Sequence, residues 1–158
     1  MTAFLLSTRI NGRPLEIAIE PQETLAEVLR ERLHLNGTKV SCDVQVCGAC
    51  TVLLDGLPVS ACTLLAYETR GRDVLTIEGL ADRTADRLHP LQQAFVDENG
   101  FQCGFCTPGM ILAAKSLLDT QPDASEEEVR AYMDGNICRC TGYRPILTAI
   151  QRVQAGTR

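Results

Sequence analysis

The chain has 158 residues, and its 15 basic and 20 acidic side chains give a net charge of −5. This balance lacks the basic footprint of a nucleic-acid-binding protein, and no apolar run reaches the roughly 18 residues that a membrane-spanning helix needs. The start of the sequence has neither a basic region nor a long apolar stretch. We therefore expect a cytoplasmic protein that binds neither nucleic acid nor membrane.

The first third of the chain predicts a β-hairpin followed by a helix. Residues 3–10 and 14–19 are rich in β-forming apolar side chains, and an Asn-Gly pair between them is typical of a tight turn. Thr24 and Glu27 match a capping box, and leucine and valine then recur at helical spacing. One amphipathic helix is therefore expected to pack on a sheet.

Eight cysteines form two sets of four, and the first set follows this helix. Its spacing is Cys-x4-Cys-x2-Cys with a fourth cysteine further on, which is the ligand spacing of plant-type 2Fe-2S clusters. An Asp55-Gly56 turn predicts a short hairpin that places the fourth cysteine beside the third. The first set consists of Cys42, Cys47, Cys50 and Cys62.

The second half of the chain changes to a helical period. A last strand is predicted over 74–77, and a polar connection runs from residue 78 to residue 86. Four helices follow, beginning near Pro90, Thr107, Ser125 and Pro145. Two of their N-termini follow the second cysteine set closely, and the positive end of a helix favours an anionic cluster. The second set consists of Cys103, Cys106, Cys138 and Cys140.

Spacing alone leaves other interpretations of the cysteines open. Four thiolates also suit a structural zinc site, above all in the second set. Disulfides would require an oxidising compartment, and the Cys-x2-Cys pairs lack the βαβ context of thioredoxin-like redox sites. His34 and His89 lie at predicted helix ends, where a capping role is favoured over chemistry.

Four motifs together resemble the small iron-sulfur subunit of the xanthine oxidase family of molybdenum hydroxylases. The motifs are Gly37-Thr38-Lys39, 47–52 (CGACTV), 102–109 (QCGFCTPG) and 135–143 (GNICRCTGY). The resemblance implies an α+β fold, with a β-grasp ferredoxin-like domain at 1–78 and a four-helix domain at 79–158. It also implies one 2Fe-2S cluster in each domain, which favours iron-sulfur over zinc in the second set.

The resemblance further implies an electron-transfer subunit of an oxidoreductase, without a substrate site of its own. In this family a large subunit carries molybdopterin with molybdenum, and a medium subunit usually carries FAD. A heterotrimer or a dimer of heterotrimers is therefore expected. Electrons would pass from molybdopterin through the helical-domain cluster and the ferredoxin-domain cluster to FAD. Gln102 and the sulfur of Cys140 are expected to lie near the pterin.

Two positions depart from the family pattern. Glycine is frequent before the first cysteine of the first set and again within the x4 loop, where this chain has Ser41 and Gln45. If the loop requires a positive φ there, Gln45 is strained and the local path of the loop could differ. Two rival functions are a free two-cluster ferredoxin and a zinc-stapled interaction module, which co-purification and metal analysis would distinguish.

Overall fold

The computed structural model describes residues 3–82 and 84–156, and it joins a mixed sheet to a group of helices. The strands are Phe4–Ile10 (β1), Arg13–Ile19 (β2), Thr51–Leu54 (β3), Leu57–Ser60 (β4) and Asp73–Leu75 (β5). The α-helices are Leu25–Glu27 (α1), Pro90–Asp97 (α2), Thr107–Thr120 (α3), Glu126–Met133 (α4) and Arg144–Gly156 (α5). The predicted α+β class is confirmed.

The sheet joins two hairpins through a central strand, in the order β2-β1-β5-β3-β4. β1 pairs antiparallel with β2, β3 pairs antiparallel with β4, and β5 runs parallel to β1 and antiparallel to β3. Both predicted hairpins are confirmed. β5 covers Asp73–Leu75 rather than 74–77, because Ile77–Gly79 turns into a 3₁₀ helix.

The helix behind the sheet begins as predicted and then widens. The Thr24 hydroxyl accepts the N–H of Glu27, and the Glu27 carboxylate accepts the N–H of Thr24. Val28–Arg32 then form a π-helical turn, in which the N–H of Leu33 donates to the carbonyl of Val28 at 3.1 Å. The periodicity in the sequence predicted only an α-helix here, because it does not distinguish the two windings. Such π turns are frequent near functional sites.

The four longer helices pack around one apolar core, and they begin close to the predicted positions. Met110, Leu117 and Ile150 are fully buried in that core, as their helical spacing predicted. The ring of His89 caps α2, since its Nδ1 accepts the N–H of Leu91 at 3.2 Å. Within the described residues, no helix combines the length and the apolar character that crossing a bilayer requires.

The sheet and the helices share a seam. Leu53 of β3 is buried within the core of the helices, and the Ser116 hydroxyl of α3 donates to the carbonyl of Gly56 at 2.8 Å. The division of the chain into 1–78 and 79–158 stays a prediction. The core nevertheless runs across that division, so the helices have a fixed position against the sheet.

Candidate metal centres

Three cysteines of the first set, Cys42, Cys47 and Cys50, lie in a loop whose backbone alternates in handedness, and Cys62 follows β4. The residues with positive φ in this loop are Asp43 (57°), Gln45 (59°) and Gly48 (69°). This alternation turns successive N–H groups towards one side, as in an anion-binding nest. The N–H groups of Val46 and Cys47 donate to Sγ of Cys42 at 3.3 and 3.4 Å. The loop therefore favours negative charge on its sulfur atoms.

The thiols of the first set form two neighbouring pairs. Backbone donors, foremost that of Val44, lower the pKa of Cys42 to about 6, and the Cys47 thiol lies beside it. Burial raises the pKa of Cys50 to about 11, with Cys62 in contact and Cys47 also acting on it electrostatically. The carbonyl of Cys50 accepts the N–H of Ala61 at 3.3 Å, so the hairpin returns Cys62 beside Cys50 as predicted.

The thiols of the second set also form two pairs. The Sγ atoms of Cys103 and Cys140 lie 3.6 Å apart, and this contact raises the pKa of Cys140. Burial raises the pKa of Cys106 to about 12, and Cys138 lies beside it. Both α3 and α5 begin shortly after these cysteines, as predicted. The positive ends of two helices therefore face this set.

Hydrogen bonds between Cys138 and the side chains of Thr141 and Tyr143 were not predicted from the sequence. Burial opposes ionisation of Cys138, but the Thr141 hydroxyl and nearby backbone N–H groups outweigh it and lower the pKa. The Thr141 hydroxyl donates to Sγ of Cys138 at 3.2 Å, and the Thr141 N–H does so at 3.4 Å. The Tyr143 hydroxyl accepts the N–H of Cys138 at 3.0 Å. Both residues belong to the quoted 135–143 motif, but a motif does not reveal which atoms its side chains contact.

The two sets differ in their access to solvent. Cys50 and Cys62 are buried, whereas Cys103 and Cys140 are exposed. Gln102 is also exposed, and its Nε2 donates to the carbonyl of Cys140 at 3.0 Å. The two residues that the resemblance assigned to the pterin contact are thus brought together on one face.

The arrangement fits a 2Fe-2S cluster in each set, because such a cluster needs two thiolates on each of two iron atoms. In the described ranges the thiols stand in pairs, and no group of three or more His, Cys, Asp or Glu side chains is placed to hold a metal ion. Among the same residues, the Thr107 hydroxyl is a buried side-chain oxygen with no hydrogen-bond partner, and it directly follows Cys106. A cluster sulfur is an acceptor that would satisfy it.

Gln45, which departs from the family pattern, adds a side-chain hydrogen bond to the x4 loop of the first set. Gln45 has a φ of 59°, so this position does require the left-handed region that glycine tolerates best. The Thr63 hydroxyl donates to Oε1 of Gln45 at 3.0 Å. Thr63 directly follows Cys62, so this hydrogen bond ties the x4 loop to the hairpin that carries the fourth cysteine.

The two cysteine sets meet across the seam, a feature that sequence reasoning missed. The N–H of Ile137 donates to the carbonyl of Cys47 at 2.9 Å. Asn136 is buried beside this contact, and its Nδ2 donates to the carbonyl of Gly48 at 3.0 Å. A backbone hydrogen bond thus joins a cysteine of the first set to the residue before Cys138.

Sequence comparisons agree with this geometry. Residues 8–75 match the model of a 2Fe-2S iron-sulfur cluster binding domain, and residues 76–151 match that of a 2Fe-2S binding domain. The nicotinate dehydrogenase small FeS subunit of Eubacterium barkeri is 42% identical over 151 residues, which cover 96% of this chain and 95% of that one. The nicotine 6-hydroxylase small subunit of Paenarthrobacter nicotinovorans is 43% identical over 92% of this chain and 86% of its own.

Solved structures show the same fold. Quinoline 2-oxidoreductase from Pseudomonas putida 86 contains a chain that matches with a TM-score of 0.93 and 42% identity, over 98% of this chain and 94% of that one. Aldehyde oxidoreductase from Desulfovibrio gigas matches with a TM-score of 0.92 and 41% identity, over 98% of this chain and 18% of that one. The chain belongs to the small subunits with two 2Fe-2S domains in the xanthine dehydrogenase and aldehyde oxidoreductase family of molybdenum hydroxylases, and it is an iron-sulfur electron-transfer subunit of that family.

Proposed function

We propose that this chain conducts electrons between two partner subunits, and that they enter at the second cysteine set and leave at the first. The observation that carries the proposal is the hydrogen bond from the N–H of Ile137 to the carbonyl of Cys47. Because Ile137 directly precedes Cys138, this hydrogen bond completes a short path through the backbone from Cys138 to Cys47. The two sets are therefore connected without an intervening solvent gap. When bound, each 2Fe-2S cluster accepts and returns one electron.

The cysteines are assigned as ligands by set. Cys42, Cys47, Cys50 and Cys62 hold the ferredoxin-domain cluster, and Cys103, Cys106, Cys138 and Cys140 hold the helical-domain cluster. The paired thiols and the N–H donors around Cys42 and Cys138 support this assignment. Those donors compensate the negative charge that four thiolates bring to each cluster.

The entry side is the exposed face of the second set. Cys103, Cys140 and Gln102 lie there, and the hydrogen bond from Gln102 fixes the Cys140 backbone. Phe101, Phe105 and Ile137 add exposed apolar side chains from the same segments. Such a face suits a protein partner better than water. We assign it to a large subunit with molybdopterin, with Gln102 and Cys140 nearest the pterin.

The exit side is the loop of the first set. Val44 and Val46 of this loop are 64% and 62% exposed, although both are apolar. We assign this loop to a medium subunit with FAD, so the complete assembly is a heterotrimer or a dimer of heterotrimers. Two of the relatives are named as small subunits, of a nicotinate dehydrogenase and of a nicotine 6-hydroxylase, which supports a place for this chain beside larger partners.

Purification from the native host tests this proposal. The chain should co-purify with a molybdenum subunit and a flavin subunit, and reduction should give two distinct 2Fe-2S EPR signals. Cys103→Ser should remove one signal, keep that of the ferredoxin-domain cluster and stop electron flow to flavin. Unchanged turnover of this variant with an acceptor placed after FAD would contradict the route. A stable monomer with two clusters and no partners would indicate a free ferredoxin, and zinc without iron would indicate an interaction module.

A further inference from the structure

Asn136 occupies the contact between the two cysteine loops. Its side chain is only 6% exposed. Its Nδ2 donates to the carbonyl of Gly48 at 3.0 Å and to the hydroxyl of Thr51 at 3.3 Å. The Thr51 hydroxyl donates in turn to the carbonyl of Gly48 at 2.7 Å. The hydrogen bonds of the Asn136 amide therefore depend on the position of the loop that carries Cys47 and Cys50.

The backbone on the other side of Asn136 is tied to the second set. Its N–H donates to the carbonyl of Met133 at the end of α4, at 3.0 Å. The Tyr143 hydroxyl donates to the Asn136 carbonyl at 3.3 Å and accepts the N–H of Cys138 at 3.0 Å. The backbone of Asn136 is thus hydrogen-bonded within the surroundings of Cys138, while its side chain is hydrogen-bonded to the loop that carries Cys47 and Cys50.

The loops approach too closely for larger residues at the seam. A Cβ on Gly48 would lie 2.5 Å from Nδ2 of Asn136 and 2.6 Å from the carbonyl oxygen of Gly135. A Cβ on Gly109, in the first turn of α3, would collide with the carbonyl oxygen of Gly48. The same carbonyl therefore contacts both α3 and Asn136. Because of this packing, the buried amide of Asn136 finds its hydrogen-bond acceptors in only one relative position of the two cysteine loops.

We propose that Asn136 is a positioning residue that fixes the separation of the two clusters and thereby the rate at which they exchange electrons. The inference rests on the ligand assignment under the proposed function. A buried amide that loses its acceptors is strongly disfavoured, so the loops cannot shift without breaking these hydrogen bonds. Asn136 acts through the loops and touches neither set of sulfurs directly.

The test compares Asn136→Ala with Asn36→Ala in the full-length chain purified with its iron and its partner subunits. Asn36 is exposed and lies in the other half of the chain, so its loss removes the same amide away from the seam. The magnetic coupling between the two reduced clusters is read from EPR, because it falls steeply with their separation. The intercluster rate is read by rapid photoreduction.

We expect Asn136→Ala to retain its iron, to weaken the magnetic coupling and to slow intercluster transfer by about tenfold. This is the lower end of the loss of activity that usually follows when a residue outside the ligand set of a metal site is removed. Asn36→Ala should match the wild type. Should Asn136→Ala fail to fold, Thr51→Val removes the second acceptor of the amide and should shift the coupling in the same direction.

A purely structural role makes a different prediction. Asn136→Ala would then lower the thermal midpoint and leave both the coupling and the rate at wild-type values, which overturns the proposal. Wild-type coupling in a folded Thr51→Val variant would overturn it as well. Wild-type protein that holds less iron than two clusters require would instead overturn the ligand assignment, so the two failures are distinguishable.

Discussion

Both cysteine sets place hydrogen-bond donors near their sulfur atoms, but the donors come from different parts of the structure. In the first set the backbone itself supplies the donors, through residues that alternate into the left-handed region, and two of the four thiols are buried. In the second set helix N-termini and Thr141 supply them, the Tyr143 hydroxyl accepts the N–H of Cys138, and two thiols are exposed. A loop built from backbone geometry is sensitive to Cβ atoms, whereas one built from side chains is sensitive to the loss of a hydroxyl.

The largest effect is expected where the two sets touch. Gly48→Ala adds a Cβ at a φ of 69° against Asn136 and Gly135, so positive φ and overpacking together should cost about 3 kcal/mol or more. Loss of both clusters or an insoluble chain is the expected outcome. The matched control is Gly12→Ala, where φ is 75° and no heavy atom lies within 4 Å of the new Cβ.

Gly12→Ala should therefore show only the backbone cost, about 1 kcal/mol. The thermal midpoint of the iron-loaded protein measures both variants. Equal losses in the two variants would mean that the close approach at the seam contributes nothing. The first set would then depend on φ alone.

The second set should respond to a hydroxyl. If Thr107 donates to a cluster sulfur, Thr107→Val removes a hydrogen bond of about 1 kcal/mol that favours the reduced state, and the potential of one cluster should fall by about 40 mV. Thr107→Ser keeps the donor and should keep the potential. EPR-monitored titration reads both clusters at once, so the other cluster is an internal control. An unchanged potential in the valine variant would show that this hydroxyl has no such role.

A smaller effect is expected at Gln45 in the first set. Gln45→Ala loses the hydrogen bond from Thr63 and keeps the strain of a φ of 59°, whereas Gln45→Gly loses the bond but relieves the strain. The glycine variant should be more stable than the alanine variant by about 1 kcal/mol. The rate of cluster loss on warming, followed by visible absorbance, ranks the two. The reverse order would show that the left-handed backbone is not strained here.

The smallest effect concerns pH and the far end of the helices. Burial, and then the charge of Lys115, lower the pKa of His89, while Asp119 opposes them. The folded state therefore favours the neutral ring, so its stabilising contribution is complete above the unfolded pKa of about 6.5 and is lost as the pH falls through the folded value. Protonated Nδ1 also cannot accept the N–H of Leu91.

His89→Asn keeps a capping side chain without a titratable ring. Between pH 8 and pH 5 the thermal midpoint of the wild type should fall further than that of this variant. The two midpoints should converge at high pH. Parallel curves over the whole range would assign the acid sensitivity to other groups.

Local signals predicted most of the fold and both cysteine sets. The Asp55-Gly56 turn and the capping box at Thr24 act within a few residues, and the structure contains both. The helix starts at Pro90 and Thr107 were likewise readable, because proline fits the first turn of a helix. The family pattern named the positive φ of Gln45 only as a condition, and the structure supplied it.

Contacts between distant residues were not predictable. Asn136 and Gly48 are 88 positions apart, and nothing in either motif indicates that they share a hydrogen bond. The π turn at Val28–Arg32 was not predicted for another reason, because its apolar spacing also fits an α-helix. The orphaned hydroxyl of Thr107 depends on burial, which a single sequence does not report.

The glycine contact between Gly109 and Gly48 also limits how such subunits can be recombined. The two halves of the chain match separate domain models, which invites their exchange between relatives as independent modules. The meeting surface, however, is made of atoms from both halves. A chimera should therefore keep its electron transfer only when both of its halves supply this surface, with Gly48 from one half and Gly109 and Asn136 from the other.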